Sequence, residues 1–261
     1  MRIWSVANQK GGVGKTTSVV NLGGMLAQQG NKVLIIDLDP QGSLTCYFKM
    51  DPDHIAHSSY NLFMNAKKLN ISLIKQSILA TPISGMSIMP ASTSLATLER
   101  NISQQDGMGL VISKALTQLW DEFDYVLIDT PPVLGLLMIN SLAACQQLLV
   151  PVQTEFLAIK GLERMVHTLK MVAQSLHKKM DYIVVPTMFD RRTNASTSSL
   201  RSLKNTYQNN LWDSAIPVDT SLRDASALGV CVNQINPDSK GARAYRKLLE
   251  TLKEGVLSHA S

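Results

Sequence analysis

Residues Lys10 to Thr17 read Lys-Gly-Gly-Val-Gly-Lys-Thr-Thr, between an apolar run, Ile3-Trp4-Ser5-Val6-Ala7, and a helical pattern from Thr16 to Gln29. No other feature constrains the fold as much. A strand, a tight glycine turn and a helix in this order aim successive backbone N–H groups at one point beside a helix N-terminus, an arrangement that cradles phosphates. Gly11, Gly12 and Gly14 supply the turn, with Val13 among them, and Thr17 completes the string. In the general pattern Gly-x-x-x-x-Gly-Lys-Ser/Thr the lysine, here Lys15, reaches the β- and γ-phosphates, and the hydroxyl after it, here Thr16, binds Mg2+. Two departures stand out: Gln9 replaces the first glycine, and a second lysine, Lys10, opens the loop.

Strand-like runs fall at Ile3–Asn8, Lys32–Asp37, Met86–Met89, Asp124–Asp129, Gln147–Val152 and Tyr182–Pro186. Helical patterns alternate with them at Thr16–Gln29, Gly109–Asp121, Ile159–His177, Asn194–Tyr207 and Ala242–Val256. Such alternation implies parallel strands joined by crossover helices. Val33-Leu34-Ile35-Ile36 and Val126-Leu127-Ile128 are apolar without a two-residue period, as expected when helices cover both faces of a sheet. The expected fold is α/β, a doubly wound and mostly parallel central sheet flanked by helices. It spans residues 1–261 as one domain, with its ligand at the carboxyl ends of the strands. Asp51–Asn70 and Ser103–Gly107 are polar and weakly patterned, which suits loops or short helices.

The 261 residues, 45% of them hydrophobic and 17% charged, suffice for one large core. Cys46, Cys145 and Cys231 are scattered, odd in number and without metal spacing, which fits a reducing cytoplasm better than a disulfide framework. Asp129, Pro131-Pro132 and Asn140 interrupt the longest apolar stretch before it reaches membrane-spanning length. Met1-Arg2 leads directly into a strand, without a signal-peptide pattern. Charge is uneven: residues 160–261 hold 15 Lys and Arg against 9 Asp and Glu, while the rest is nearly balanced. This asymmetry fits either a surface for nucleic acid or anionic lipid, or a solvated basic face.

Carboxylates at strand ends are the second chemical signal, because a cation and an attacking water must be placed around a γ-phosphate. Asp129 ends an apolar strand. Asp37 and Asp39, two residues apart, project to one side of an extended segment. The bland alternative for Asp39 is that an aspartate before Pro40 merely starts a turn.

Lys10 to Thr17 resembles the signature of the ParA/MinD family of deviant Walker A ATPases, the SIMIBI class. The likeness continues through Asp37-Leu38-Asp39-Pro40-Gln41-Gly42-Ser43, Tyr125 to Pro132, Ile216-Pro217 and Gly241 to Tyr245. It implies an ATP-dependent dimerisation switch with slow hydrolysis of ATP, Mg2+ as cofactor, and a role in positioning cellular cargo. By resemblance, Lys15 acts on its own nucleotide, while Lys10 reaches the phosphates of the opposite subunit in a sandwich homodimer. Asp39 would orient the hydrolytic water, Asp37 would support the Mg2+ shell, Asp129 would hold Mg2+ through water, and Thr130-Pro131-Pro132 would sense the γ-phosphate.

The resemblance also implies adenine beside Thr187-Met188-Phe189-Asp190 and beside Ile216-Pro217-Val218-Asp219, each expected after a strand, with Met188, Pro217, Asp219 and backbone groups as contacts. Many relatives carry asparagine where this chain has Thr187, and spacing alone leaves GTP open. Lys204 and Arg223 match basic positions of a nonspecific DNA surface, to which Arg191, Arg192, Arg201, Arg243 and Arg246 could add. MinD-type relatives use a terminal amphipathic helix as a reversible membrane anchor. Here Leu248, Leu249, Leu252, Val256 and Leu257 form such a stripe, for which packing on the sheet is the preferred reading.

Trp4 to Lys10, Phe156 to Arg164 and Val185 to Thr193 resemble ParC-type members found with chemotaxis genes. That likeness implies polar-landmark and chemotaxis-array proteins as partners, and a cytoplasmic protein at the cell pole and nucleoid. Plasmid or chromosome partition and MinD-like membrane cycling run on the same signature. A metabolic enzyme such as the nitrogenase iron protein shares the scaffold, but no cysteine for a cluster lies between Asp129 and Ile139. A scaffold without hydrolysis would not need Lys15, Thr16 and Asp39.

Overall fold

A computed structural model describes residues 1–101 and 107–254. Seven strands form one sheet: β1 (Arg2–Val6), β2 (Val33–Asp37), β3 (Leu79–Ala80), β4 (Met86–Met89), β5 (Tyr125–Asp129), β6 (Gln147–Gln153) and β7 (Asp181–Thr187), in the spatial order β3-β4-β2-β5-β1-β6-β7. Only the two-residue edge pairing of β3 with β4 is antiparallel. Every other neighbour pair runs parallel.

The helices of the first half are α1 (Lys15–Gln28), α2 (Ser43–Tyr47), α3 (Ser59–Met64), α4 (Ile71–Gln76), α5 (Leu95–Asn101) and α6 (Val111–Gln118). Those of the second half are α7 (Leu136–Ala144), α8 (Phe156–Ser175), α9 (Asn194–Thr206), α10 (Ser221–Leu228), α11 (Val232–Ile235) and α12 (Lys240–Glu254).

Successive strand residues point to opposite faces, and here both faces are apolar. Ile3, Leu34 and Ile36 enter a core built with α6, α7 and α8, while Trp4, Val33 and Ile35 enter a second core built with α1 and α12. The unbroken apolar strands thus answer to helices on both sides. Close packing of α1 depends on Gly24, where a Cβ would lie 2.7 Å from the Cys231 Cβ.

The six expected strands are present, with ends displaced by up to two residues, and β3 is additional. The helix expected over Gly109–Asp121 begins as a 3-10 turn at Met108–Leu110 and ends at Gln118. α8 starts at Phe156, three residues before expectation. Asp51–Asn70 contains the short α3 and a 3-10 turn. Five short helices (α2, α4, α5, α10, α11) and the longer α7 had no counterpart in the sequence pattern. Of the loop expected at Ser103–Gly107, residues 103–106 lie outside the described residues, as do Val256 and Leu257. In α12, Leu248, Leu249 and Leu252 are buried in the second core, so this part of the stripe packs on the sheet. No helix among the described residues is long and apolar enough to cross a membrane.

Candidate nucleotide-binding site

The loop after β1 lies between the carboxyl ends of β5 and β6, the neighbours of β1 on either side. Gly12 (φ +71°) and Gly14 (φ +94°) take the left-handed conformation that side chains rarely adopt, and Gly14 caps α1. Side chains from the loop itself, from α1 and from β7 brace it. Asn8 donates to the Pro151 carbonyl (2.7 Å) and accepts the Lys10 amide (2.9 Å). The Thr187 hydroxyl donates to the Val13 carbonyl (2.9 Å), and the Ser18 hydroxyl to the Gly14 carbonyl (2.7 Å). Beneath Ser18 lies the buried Tyr245 phenol, 3.1 Å away, which ties α12 to the loop.

Lys15 is buried, its ammonium 3.4 Å from the Lys10 carbonyl. Burial pushes its pKa down, while Asp129 and Asp39 hold it up. It therefore sits in the field of two carboxylates at the mouth of the loop.

The carboxylate pair follows from strand register, since Asp37 on β2 is directly opposite Asp129 on β5. Asp37 is fully buried and accepts from the Asp39 amide (3.0 Å), the Thr45 amide (2.9 Å) and the Thr45 hydroxyl (2.7 Å). Asp129 accepts the Thr16 hydroxyl at 2.5 Å through Oδ2, and its buried Oδ1 has no hydrogen-bond partner. Burial raises the pKa of both; the Asp37 charge adds to the rise at Asp129, and the Asp39 charge to that at Asp37. Two buried carboxylates sharing one site with an orphaned oxygen form the environment a divalent cation relieves.

Thr16, Asp37 and Asp129 thus fit Mg2+, with phosphate oxygens and water completing the shell. Among the described residues no group of three His, Cys, Asp or Glu could hold a metal unaided. When bound, the ion neutralises charge on the phosphates. Asp39 is buried beside this pair, its Oδ1 accepting the Gln41 amide (3.0 Å). Its pKa is raised by burial and held back by that N–H and by Lys15. Asp39 thus starts the turn through the Gln41 amide while its carboxylate stays buried next to Lys15.

A pocket of about 310 Å³ adjoins the loop and is lined by Val13, Gly14 and Thr17 of the loop side together with Met188, Pro217 and Asp219, the positions expected at a base. Met188 has a left-handed backbone (φ +51°), uncommon for a non-glycine residue, at the carboxyl end of β7. Two expectations need correction here. Ile216–Asp219 follows no strand; an isolated bridge between Phe189 and Pro217 and the Ile216 amide's bond to the Pro186 carbonyl (2.8 Å) seat it beside β7. The Asp219 carboxylate is committed to the Ser221 amide (2.9 Å) and the Gly241 amide (2.7 Å). Burial pushes its pKa up, and these donors outweigh burial and bring it down, so its work is to anchor the pocket wall to α12. Arg223 lines this same pocket, whereas Lys204 is exposed on α9.

Lys10 stands apart from the other loop residues. Its ammonium donates to Gln153 Oε1 (2.7 Å) and pairs with the Glu155 carboxylate, both in its own subunit. Sequence reasoning missed Gln153 and Glu155. The available signal was their place just beyond the apolar run of β6, the kind of strand end that supplies Asp129 on β5.

The sequence profile of the AAA domain family matches residues 1–182. The chain is 34% identical to the sporulation initiation inhibitor protein Soj of Bacillus subtilis over 95% of this chain and 96% of Soj. It is 32% identical to the chromosome partitioning protein ParA of Myxococcus xanthus, over 95% of this chain and 86% of that one. A solved structure described as cobyrinic acid a,c-diamide synthase from Mycobacterium smegmatis, with bound ATP analog and magnesium, superposes with a TM-score of 0.84 at 33% identity, covering 99% of this chain and 96% of that one. The chain belongs to the ParA/MinD family of P-loop ATPases.

Proposed function

We propose that this protein is an ATP-driven dimerisation switch that hydrolyses MgATP slowly and positions a cellular cargo. The observation that carries the reading is the division of labour between two lysines. Lys15 is buried against the site of its own nucleotide. Lys10 stands on the rim, its side chain 41% exposed, near a chain segment that leaves Phe156 and Leu157 uncovered. Val133 and Leu134, just after Asp129 and the Thr130-Pro131-Pro132 segment, are exposed as well. A cation held outside its own phosphate site beside apolar surface suits the nucleotide of a second copy. Cations supplied in trans accelerate phosphoryl transfer by about 10³–10⁵. The magnesium and ATP analog in the solved neighbour support the same ligands here.

Within this cycle Asp39 positions the attacking water, and Thr16, Asp37 and Asp129 hold Mg2+. The base rests against Met188 and Pro217. The cargo we infer is the polar chemosensory array, on the likeness of Trp4–Lys10, Phe156–Arg164 and Val185–Thr193 to ParC-type proteins. Lys204 and Arg223 are the candidate contacts to nonspecific DNA. For such contacts log affinity should fall with log salt by about 0.9 per phosphate neutralised.

The mass of Asp39→Ala in solution, with ADP and then with ATP and Mg2+, tests the switch. A dimer only with ATP is expected, and a monomer in every state refutes it. Deleting the protein should disperse polar chemoreceptor clusters. Intact clusters together with lost plasmid or chromosome partition would reassign the cargo.

A further inference from the structure

Gln153 and Glu155 account for every side-chain hydrogen bond of the Lys10 ammonium among the described residues. Their position makes them more than an incidental surface pair. Gln153 is the last residue of β6, and it divides its amide: Oε1 accepts from Lys10, while Nε2 donates to the Gly12 carbonyl (3.2 Å) and approaches Met188 Sδ (3.0 Å). One side chain thus touches the phosphate loop, the base pocket and the second lysine. Glu155 immediately precedes α8 and supplies the countercharge.

We propose that Gln153 and Glu155 are positioning residues that dock Lys10 in its own subunit, so that Glu155 competes with the phosphates of a second copy for the same ammonium. The inference deepens the dimer reading given above and rests on it. Lys10 cannot keep its Glu155 pair and also project into a partner's site, so forming the sandwich breaks one dock in each subunit. An exposed ion pair shifts an equilibrium by about 1.4- to 5-fold. With two docks per dimer, Glu155 holds dimerisation back by about 2- to 30-fold. Through Gln153 the dock also borders Met188, so a base entering that pocket meets a residue that holds the lysine.

The test uses the full chain and Glu155→Gln, an exposed substitution that keeps the side-chain shape and removes the charge. With a non-hydrolysable ATP analogue and Mg2+, the variant should dimerise about 2- to 30-fold more tightly than the parent at low salt. That difference should shrink toward none near 1 M salt, where the screening length is about 3 Å. Glu155→Asp, which keeps the charge, should restore part of the parent's behaviour. Independently, acylation of Lys10 in the nucleotide-free protein, followed by mass spectrometry with buried Lys15 as internal reference, should run faster in Glu155→Gln.

Unchanged acylation of Lys10 would overturn the dock whatever dimerisation does. Faster acylation with equal or weaker dimerisation would overturn the competition. If parent and variant both stay monomeric while Lys10 reacts faster in the variant, the dock stands and the dimer reading falls.

Discussion

The metal-free protein should lose stability as pH rises through neutrality, and the loss should trace to Asp129. Burial, with a smaller push from the Asp39 charge, brings Asp37 up to about 7, and burial with repulsion from Asp37 brings Asp129 up to about 8, both well above the unfolded carboxylate value. A group whose folded pKa is raised contributes stability that is complete below its unfolded pKa and is lost as pH climbs through the folded one. The affected window therefore runs from about pH 4 to about pH 8. Each proton retained by the folded state but not by the unfolded chain gives a slope of about 1.4 kcal/mol per pH unit. For a chain of 261 residues, 1 kcal/mol moves the melting temperature by roughly 2 °C. Because the two carboxyls titrate as a pair, the wild type should fall by about 2.5 °C per pH unit for one retained proton and about 5 °C for two. Asp129→Asn removes the group with the higher folded pKa, and with it one of the two retained protons, so its slope should be shallower by about 2.5 °C per unit. Differential scanning fluorimetry in chelator, from about pH 5 to about pH 8, reads both slopes, and Mg2+ with ATP should flatten the wild-type curve. Equal slopes for wild type and Asp129→Asn would show that the pair does not hold its protons, and the account of the orphaned Oδ1 as a cation site would fail with it.

Gly24→Ala should cost about 1–3 kcal/mol, because the new Cβ falls against a buried residue in a packed core. Urea unfolding checks this, and an unchanged midpoint would mean that α1 can move away from Cys231, whose Cβ lies only 2.7 Å from that position. Tyr245→Phe leaves the ring in place and removes its bond to Ser18. Stability should fall by about 1 kcal/mol, and nucleotide affinity should fall too, because Ser18 also supports the Gly14 carbonyl. Full affinity by calorimetry would show that α12 does not brace the loop. Lys15→Ala should abolish nucleotide binding, measured by the same titration, since no other ammonium lies within the buried mouth of the loop among the described residues.

How legible the site was depended on whether a residue's chemistry was set by near neighbours in sequence or by sheet register. The phosphate loop was readable because strand, glycines, lysine and hydroxyl occupy one short string whose order alone dictates a turn onto a helix N-terminus. Asp129 was readable as the polar end of an apolar strand. The same logic gave both faces of the sheet, since Val33-Leu34-Ile35-Ile36 has no polar side to present to solvent. The short helices α2, α4 and α11 carry too few turns for a 3.6-residue period to stand out, so tertiary contacts set them. α7 was hidden because Leu136–Ala144 is apolar almost all round and follows Pro131-Pro132 after only three residues, so its composition reads equally as a strand or a buried helix. α10 did carry a signal: Gly229, left-handed at φ +73°, stops it.

Gln153 and Glu155 illustrate the deeper limit. Lys10 is more than 140 positions from either residue, and nothing local to any of the three announces the contact. The contact exists because β6 lies beside β1, which brings the end of one strand to the loop that follows the other. A sequence pattern can identify the lysine as surplus to its own phosphate site, but only the order of strands reveals what occupies it while it waits. The same holds for Asp37, whose three hydrogen-bond donors could be guessed from Thr45 and Asp39 nearby, whereas its place opposite Asp129, whose pKa its charge raises, is set by register alone. The electrostatics of the site are thus a property of the sheet's winding, which is why a conservative change in the packing of β1 against β5 or β6 should disturb the pH slope and the Lys10 dock without touching a residue of either.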